Sequence, residues 1–399
     1  LTIGHRRAPG TSVRQIVRRL HLWLGLGIGL LFALLGLTGS ALVYYTDIDA
    51  ALHPALHAVG QPAADAAPPD WRSPVWDRAL ATGRARWHGG AGGKWTFEVT
   101  GEAGPIPARY YAARGHHADR MMIWFAPDGT RIVRAEPWGG YLMSWIYQLH
   151  MQLLAGDPGS QILGWSGVAT LVLLISGILA WWPRGRWRKA LAFKRDAVPI
   201  RRMHDLHKLA GLSGSILLLI LVATGVLLAL PRVTQALVAP APVPAPKADA
   251  TRGAPVTIAR ALRVAHRALP DGRLVFFDVP NDRDVPFRMR FQVPGDPHPR
   301  FPGSYVFVDQ SSARILAVHD VRRIDLRTTI SSWIRTLHDG TVGGPATRIL
   351  AILLGLVPAF LFVTGLIHWS HRRRSAAAAF ARNPHPIRAD HCQPPRGGR

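Results

Sequence analysis

Apolar positions cluster along this 399-residue chain in four long windows that are nearly free of charge. They are "LHLWLGLGIGLLFALLGLTGSALVYY" (20–45), "ILGWSGVATLVLLISGILAWW" (162–182), "LAGLSGSILLLILVATGVLLAL" (209–230) and "ILAILLGLVPAFLFVTGLIHW" (349–369). Each meets the requirement of roughly 20 apolar residues for a helix to cross a bilayer. None carries the polar stripe of a helix lying on a soluble core. The first run is too long for a leader peptide and lacks an A-x-A exit, so four membrane-spanning helices are expected.

The intervening polar regions read differently. Residues 74–87 and "APVTIARALRVAHRAL" (254–269) carry apolar residues at helical spacing. Short alternating runs follow each of them: "KWTFEVT" (94–100) and "RMMIWFAPDGTRIVR" (120–134), then "RLVFFDV" (273–279), "FRMRFQV" (287–293) and "SYVFVDQSSARILAV" (304–318). The last run of each set reads as strand, D-G or Q-S-S turn, and returning strand. One helix against a small antiparallel sheet is expected, in each of two domains. The Pro/Ala-rich "APAPVPAPKADA" (239–250) reads as a linker.

The pattern is written twice. "LHLWLGL" (20–26) matches "LHKLAGL" (206–212), aligning His21 with His207, and "SWIYQLH" (144–150) matches "SWIRTLH" (332–338), aligning His150 with His338. Seventeen residues after the first pair of histidines stand Thr38-Gly39 and Thr224-Gly225; 26 residues after the second pair stand Ser176-Gly177 and Thr364-Gly365. Agreement of both intervals implies one duplicated unit: span, external domain, W-I-x-x-L-H, span.

Charge sets the orientation of this unit. The net charge is +24, but segments 1–20, 184–202 and 371–399 carry 5, 8 and 7 Lys/Arg against 0, 1 and 1 acids. Segment 47–145 balances 10 with 10, and 232–337 has 16 against 9. The dense basic excess lies in three short segments on one side of the spans. The positive-inside rule makes that side cytoplasmic, with anionic membrane lipid as a further partner, and removes nucleic acid as the reason for the charge. The single cysteine, Cys392, sits in a Pro/Arg-rich tail. One thiol builds neither a disulfide, an iron–sulfur cluster nor a c-type haem attachment, so a redox centre would need histidine ligands. The chain opens on Leu1 rather than Met, and its natural start is expected elsewhere.

The strings "RRLHLWLGLGIGLLFALLGLTGSALVYYTDIDAALHP", "LHKLAGLSGSILLLILVATGVLL" and "VFVDQSSARIL" resemble the PepSY-associated transmembrane family, over nearly all of residues 14–374. Within it the layout is similar to the iron-regulated inner-membrane ferric-siderophore reductases. The resemblance implies a membrane α+β protein of the bacterial inner membrane: a four-transmembrane-helix bundle built from two repeats, with two small periplasmic PepSY-like α+β domains. The expected order is a cytoplasmic N-terminus (1–15), span 1 (16–46), a periplasmic domain (47–143), an outer helix with span 2 (144–183) and a basic cytoplasmic loop (184–202). Span 3 (203–231), a second periplasmic domain (232–331), an outer helix with span 4 (332–371) and a disordered cytoplasmic tail (372–399) complete it.

Ionisable groups at membrane depth are costly and point to function. His21 and His207 open spans 1 and 3 on the cytoplasmic side, His368 closes span 4 at that level, and His150 and His338 stand at the outer mouths of spans 2 and 4. Neutral imidazole is a usual axial ligand of haem iron, so two haem b groups are expected. His150 with His338 would hold the outer one; two of His21, His207 and His368 would hold the inner one, symmetry favouring His21 with His207. His204 ranks lower because Arg18 stands at its repeat position, and Ala180 stands at that of His368. A lone histidine at a membrane interface is otherwise an amphipathic side chain at the headgroups, and those of the external domains need no special role.

Steps of four from His21 reach Gly25, Gly29 and Ala33, and from His207 reach Gly211 and Ser215. That strip of small residues either leaves a groove for a flat macrocycle or lets helices pack closely. The Thr-Gly pairs lie about 25 Å along the helix from His21 and His207, at the level of the outer histidines. Each [ST]-G pair is expected beside a haem, with its glycine admitting the ring.

No G-x-G-x-x-G follows a strand, so electrons must come from a separate donor, quinol or a cytoplasmic reductase. The resemblance implies reduction of a ferric siderophore outside and release of Fe(II). Trp138, Tyr141, Trp145, Trp333 and Arg335 are candidates either for the neighbourhood of the chelate or for interfacial anchoring. The rival reading is a PepSY-type binding or regulatory module on a structural membrane anchor without haem. A permease comes last, since only Pro358 interrupts a span.

Overall fold

The computed structural model describes residues 12–59, 69–87, 93–101, 104–112, 120–183, 185–249 and 253–382. Cys392 and His88, His116, His117, His385 and His391 lie outside them. Helix α1 (Val13–Leu42) is followed by the short α2 (Tyr45–Leu52) and α3 (Pro54–Val59), then α4 (Val75–Arg86). Strands β1 (Lys94–Glu98), β2 (Ile106–Tyr111), β3 (Arg120–Phe125) and β4 (Ile132–Pro137) lead to α5 (Leu142–Gln152), α6 (Gly156–Trp181) and a short α7 (Trp187–Leu191). The second half runs α8 (Pro199–Ala229), α9 (Pro231–Leu237), α10 (Ile258–Ala268), then β5 (Arg273–Val279), β6 (Phe287–Gln292), β7 (Ser304–Val308) and β8 (Ile315–His319). It ends with α11 (Leu326–Asp339) and α12 (Gly344–Arg382).

Helices α1, α6, α8 and α12 are long and apolar enough to cross a membrane. Their outward faces stay apolar where a water-soluble bundle would be polar: Leu30 is 64% and Ile216 72% exposed. Helices α1 and α8 each pack against both α6 and α12, and so stand at opposite corners of the bundle. The tightest contact is between α1 and α12. A Cβ on Gly36 would stand 2.2 Å from the Gly355 carbonyl oxygen, and Ser40 Oγ donates across the gap to the Ile352 carbonyl at 3.0 Å. Small residues here let two backbones touch.

Two separate external domains are not what forms. The strands make one eight-stranded antiparallel sheet in the order β4-β3-β2-β1-β5-β6-β7-β8. β1 and β5 join the halves, with Phe97 opposite Phe277 and Trp95 opposite Val279. Separate four-stranded sheets would each leave an apolar strand with unpaired backbone groups at an edge; pairing β1 with β5 removes both edges. Helices α4 and α10 cover one face of the joint sheet over a single core that includes Trp76, Phe97, Phe125, Phe277 and Met289. Asp77 of α4 accepts from the backbone amides of Ile258 (2.8 Å) and Ala259 (3.3 Å) at the start of α10, so a carboxylate of one half caps the helix of the other.

Two further differences have local causes. Residues 372–382, expected to be disordered, continue α12, because "SAAAAFAR" is built of strong helix formers. The Pro-rich 239–249 stretch has no regular structure, as a linker should. It is nonetheless tied down, Ala241 N donating to Thr328 Oγ1 and Asp249 N to Asp309 Oδ2, both at 2.8 Å.

Candidate functional site

Each repeated histidine is held by an [ST]-G pair of another helix. His150, at the end of α5, has Nδ1 3.0 Å from Thr38 Oγ1. His338, at the end of α11, has Nδ1 2.9 Å from the Leu221 carbonyl and 3.4 Å from Thr224 Oγ1. At the other end of the bundle His21 Nδ1 lies 3.1 Å from the Leu173 carbonyl and 3.3 Å from Ser176 Oγ, and His207 Nδ1 lies 2.8 Å from Thr364 Oγ1.

These contacts fix the tautomer. A carbonyl only accepts, so Nδ1 of His21 and His338 carries the proton. The Thr38 and Thr364 hydroxyls spend their own hydrogens on the carbonyls of Leu34 and Phe360, at 2.9 and 2.8 Å. They therefore accept from Nδ1–H of His150 and His207. All four imidazoles present an unprotonated Nε2, the form in which histidine binds a metal, with the group that orients the ring on the other nitrogen.

The glycine of each pair makes room for the imidazole. A Cβ on Gly39 would stand 3.0 Å from His150 Cε1, on Gly177 2.8 Å from His21 Cε1, on Gly225 2.9 Å from His338 Cε1, and on Gly365 3.5 Å from His207 Cε1. The expectation that these glycines admit a macrocycle is therefore corrected: the space is filled by the neighbouring histidine. The strip beside His21 is also broken, since a Cβ on Gly29 would meet the Phe362 ring at 2.8 Å. Only the turn at Gly25 and Gly211 stays loose, with nothing nearer than 3.7 Å to either position.

The histidines face each other in pairs. Ring centroids of His150 and His338 are 6.3 Å apart with planes at 43°; those of His21 and His207 are 6.5 Å apart at 85°. His368 joins neither pair. It lies against His204, the candidate ranked lowest, at 5.4 Å, and its buried Nδ1 has no hydrogen-bond partner among the described residues. Repeat symmetry cannot reveal that contact, since neither residue has a counterpart in the first half.

The short helices carrying His150 and His338 end in breaks that turn the chain into α6 and α12. Leu153 and Leu154 take the left-handed conformation at φ 48° and 60° in the first half, and Gly340 takes it at φ 74° in the second. Bulky residues there are uncommon, whereas glycine adopts it freely. Next to His338, the carboxylate of Asp339 accepts from His298 Nε2 at 2.8 Å, while His298 Nδ1 accepts from the amides of Arg300 and Phe301, each at 3.1 Å. Burial alone would raise the Asp339 carboxyl; the bonds from His298 and Thr341 outweigh it and hold it below the usual range. His298 thus ties the β6–β7 loop to α11, a role that sequence reasoning missed.

The aromatic candidates divide. Tyr141 is buried, its hydroxyl 2.6 Å from that of Tyr45, and the Arg120 guanidinium lies 3.8 Å above Trp138. Trp145 and Trp333 stay exposed, as interfacial anchors do. Arg335, one turn before His338, stacks on Phe301 at 5.1 Å.

Four spanning helices that bring half-buried histidines together in facing pairs, under an antiparallel sheet covered by helices, define an integral membrane protein with ligand-competent imidazoles at two levels. The chain belongs to the family described as the PepSY-associated TM region, whose model matches residues 18–372. No curated protein matches the sequence.

Proposed function

We propose that the protein is a di-haem b oxidoreductase of the bacterial inner membrane that passes electrons outward to reduce a ferric siderophore and release Fe(II). The observation that carries this reading is the pairing of the four repeated histidines, with ring centroids 6.3 and 6.5 Å apart and each Nδ1 on a hydroxyl or carbonyl. Two imidazole nitrogens each about 2 Å from one metal put the ring centroids about 6 Å apart. Among the described residues no cluster of three or more His, Cys, Asp or Glu is placed to hold a metal ion. A metal held by two imidazoles takes its remaining ligands from elsewhere, and a tetrapyrrole is one group that supplies four of them. His150 and His338 would hold the outer haem, and His21 and His207 the inner one. Haem b, when bound, supplies one-electron redox chemistry at a potential set by axial ligation and burial.

The chain's own residues account for the rest of the site. The Thr38, Ser176, Thr224 and Thr364 hydroxyls and the Leu173 and Leu221 carbonyls hold each ring in one tautomer. The near-equal sequence separations of these contacts in the two halves support construction from two repeats, each with a PepSY-like unit in the joint sheet. The basic segments support an orientation with both termini cytoplasmic and the sheet periplasmic. Reporters fused at Lys189 or after Arg374 are then retained inside, and those at Gly92 or Asp282 are exported. The electron donor would be quinol or a cytoplasmic reductase meeting the basic side.

The test is a visible spectrum of the purified protein, followed by ligand removal. Two b-type haems are expected, with His150→Ala and His338→Ala each losing the same one. Dithionite-reduced protein should then be reoxidised by ferric siderophores, with Fe(II) captured by a ferrous-specific chelator. A protein without b-type bands sinks this reading and leaves the haem-free binding module.

A further inference from the structure

The sheet face opposite α4 and α10 carries a cavity of about 160 Å³ whose wall includes Lys94, Arg109, Asp278, Arg288, Arg290 and Tyr305. Strand alternation builds it. Phe287 and Met289 of β6 point into the core, so Arg288 and Arg290 share the other face. Arg109 from β2 and Lys94 from β1 approach from across the β1–β5 junction.

The wall holds four cations and one acid. Asp278 is already committed, to Lys94 at 3.1 Å, to Arg288 at 2.7 Å and to the Thr96 hydroxyl at 2.6 Å. Arg109 reaches Glu98 at only 3.6 Å, and Glu98 also serves Arg300 at 2.8 Å. Arg290 has no carboxylate partner among the described residues: its Nε donates to the Pro302 carbonyl at 2.5 Å, and its guanidinium stands 5.0 Å above Tyr305. Burial first, then the nearby Arg288 and Arg335, lower its pKa from the usual arginine value, against the opposing pull of Tyr305 and of the longer-range carboxylate Asp296. A half-buried guanidinium crowded by other cations is relieved by an oxyanion, which its planar fork binds in bidentate fashion.

We propose that this cavity binds a carboxylate arm of an anionic ferric chelate of the citrate class, in preference to neutral or cationic hydroxamate complexes. The cavity is too small to enclose a whole chelate, so it receives one arm while the metal centre stays outside. The iron in this proposal rests on the reductase reading; the anion rests on the cavity alone.

Redox-inert gallium(III) citrate separates the two. Titrated into the full-length chain in detergent, it should bind in a salt-sensitive manner. Arg290→Gln should weaken binding by about tenfold or more, as loss of a charge-assisted bidentate contact does. Arg290→Lys, which keeps the charge but loses the fork, should recover only part of it, and Arg109→Gln should weaken it in its own right, with melting curves showing that each variant is folded. A cationic gallium(III) trihydroxamate bearing a free amine should bind at least about tenfold more weakly than the citrate complex. Equal binding of the cationic complex, indifference to Arg290→Gln, or binding of inorganic phosphate as tight as that of gallium citrate overturns the assignment. If ferric hydroxamates reoxidise the reduced protein while gallium citrate fails to bind, the proposal falls and the reductase reading stands. If gallium citrate binds but no ferric chelate reoxidises the protein, the cavity stands as an anion site and the reductase reading falls.

Discussion

Gly177 of α6 lies directly beside the imidazole of His21 on α1, so that a Cβ at this glycine would stand 2.8 Å from His21 Cε1. The same relationship joins Gly225 to His338 at 2.9 Å, but Gly365 to His207 at an ordinary 3.5 Å. The threatened atom is a ring already tied at Nδ1, so it cannot swing away without breaking a buried hydrogen bond. On the di-haem proposal, Gly177→Ala and Gly225→Ala should each displace one imidazole and weaken haem binding there by about ten- to a hundredfold. Gly365→Ala should leave both spectra unchanged. Haem titration of the apoprotein makes the comparison, and equal loss in all three variants would show that the contacts do not matter.

The hydroxyls give a graded version of this test. Thr364 Oγ1 is the nearest acceptor to His207 Nδ1, at 2.8 Å, whereas His338 keeps the Leu221 carbonyl at 2.9 Å whatever happens to Thr224. Thr364→Val should therefore shift the midpoint potential of the inner haem and weaken it by about tenfold, with a smaller change for Thr224→Val at the outer one. Redox titration reads both, and the reverse order would mean that the carbonyl is not the anchor of His338.

Much of this site was legible in the sequence, because the bilayer imposes it. Span length follows from bilayer thickness, and the 17- and 26-residue intervals placed Thr38 and Thr364 at the depth of histidines on other helices. The occupant of each glycine's space was not legible, since an interval along one helix says nothing of which neighbour leans against it. The β1–β5 pairing escaped for a related reason: alternation marks a strand as buried without naming its partner. Arg288 and Arg290 alternate visibly, but the cavity exists only where four strands bring side chains together. His204 and His368 break the repeat, and so carry no internal signal.

Helix packing offers a prediction independent of any cofactor. A side chain on Gly36 collides with the backbone of Gly355, whereas nothing lies within 4 Å of a Cβ on Gly27. Gly36→Leu should force α1 and α12 apart and cost more than about 3 kcal/mol, beyond ordinary overpacking because the obstacle is backbone. Gly27→Leu should be neutral. Thermal melts in detergent compare them, and tolerance of Gly36→Leu would mean that the helices are not in contact.

Acid should loosen the sheet domain. Asp339 is held below the usual carboxylate range, as described. Asp309 is buried, which opposes ionisation, yet the amides of Asp249 and Ser312 and the hydroxyls of Ser311 and Ser312 also depress it; bonds from Arg322 depress Asp320. A depressed folded-state pKa means that the unfolded chain takes up the proton first. The stabilisation is complete above about pH 5 and is lost as pH falls below about 4. Asp296, raised by burial, acts in the opposite sense. Near-UV melting between pH 3 and 7 should show the plateau and the fall, with a shallower fall in Asp339→Asn. A flat profile in the native protein would contradict it.

Among the histidines at the end of the bundle away from the sheet, four form two neighbouring pairs. His207 faces His21 at 6.5 Å with Nδ1 on a hydroxyl, whereas His204 is partly exposed, lies 5.4 Å from His368 and has Nδ1 3.8 Å from Asp205. Only His21 and His207 combine a facing partner with a glycine beneath the ring. On the di-haem proposal, His21→Ala or His207→Ala should therefore each remove the inner haem and leave the outer one, while His204→Ala and His368→Ala keep both. The neighbouring pair could still govern how electrons enter, so the quinol-reduction rate should be measured alongside the spectrum. A slowed rate with both haems present would place His204 and His368 at the donor's docking point. Loss of a haem in His368→Ala would instead make His368 a ligand and displace His21 or His207 from the inner pair.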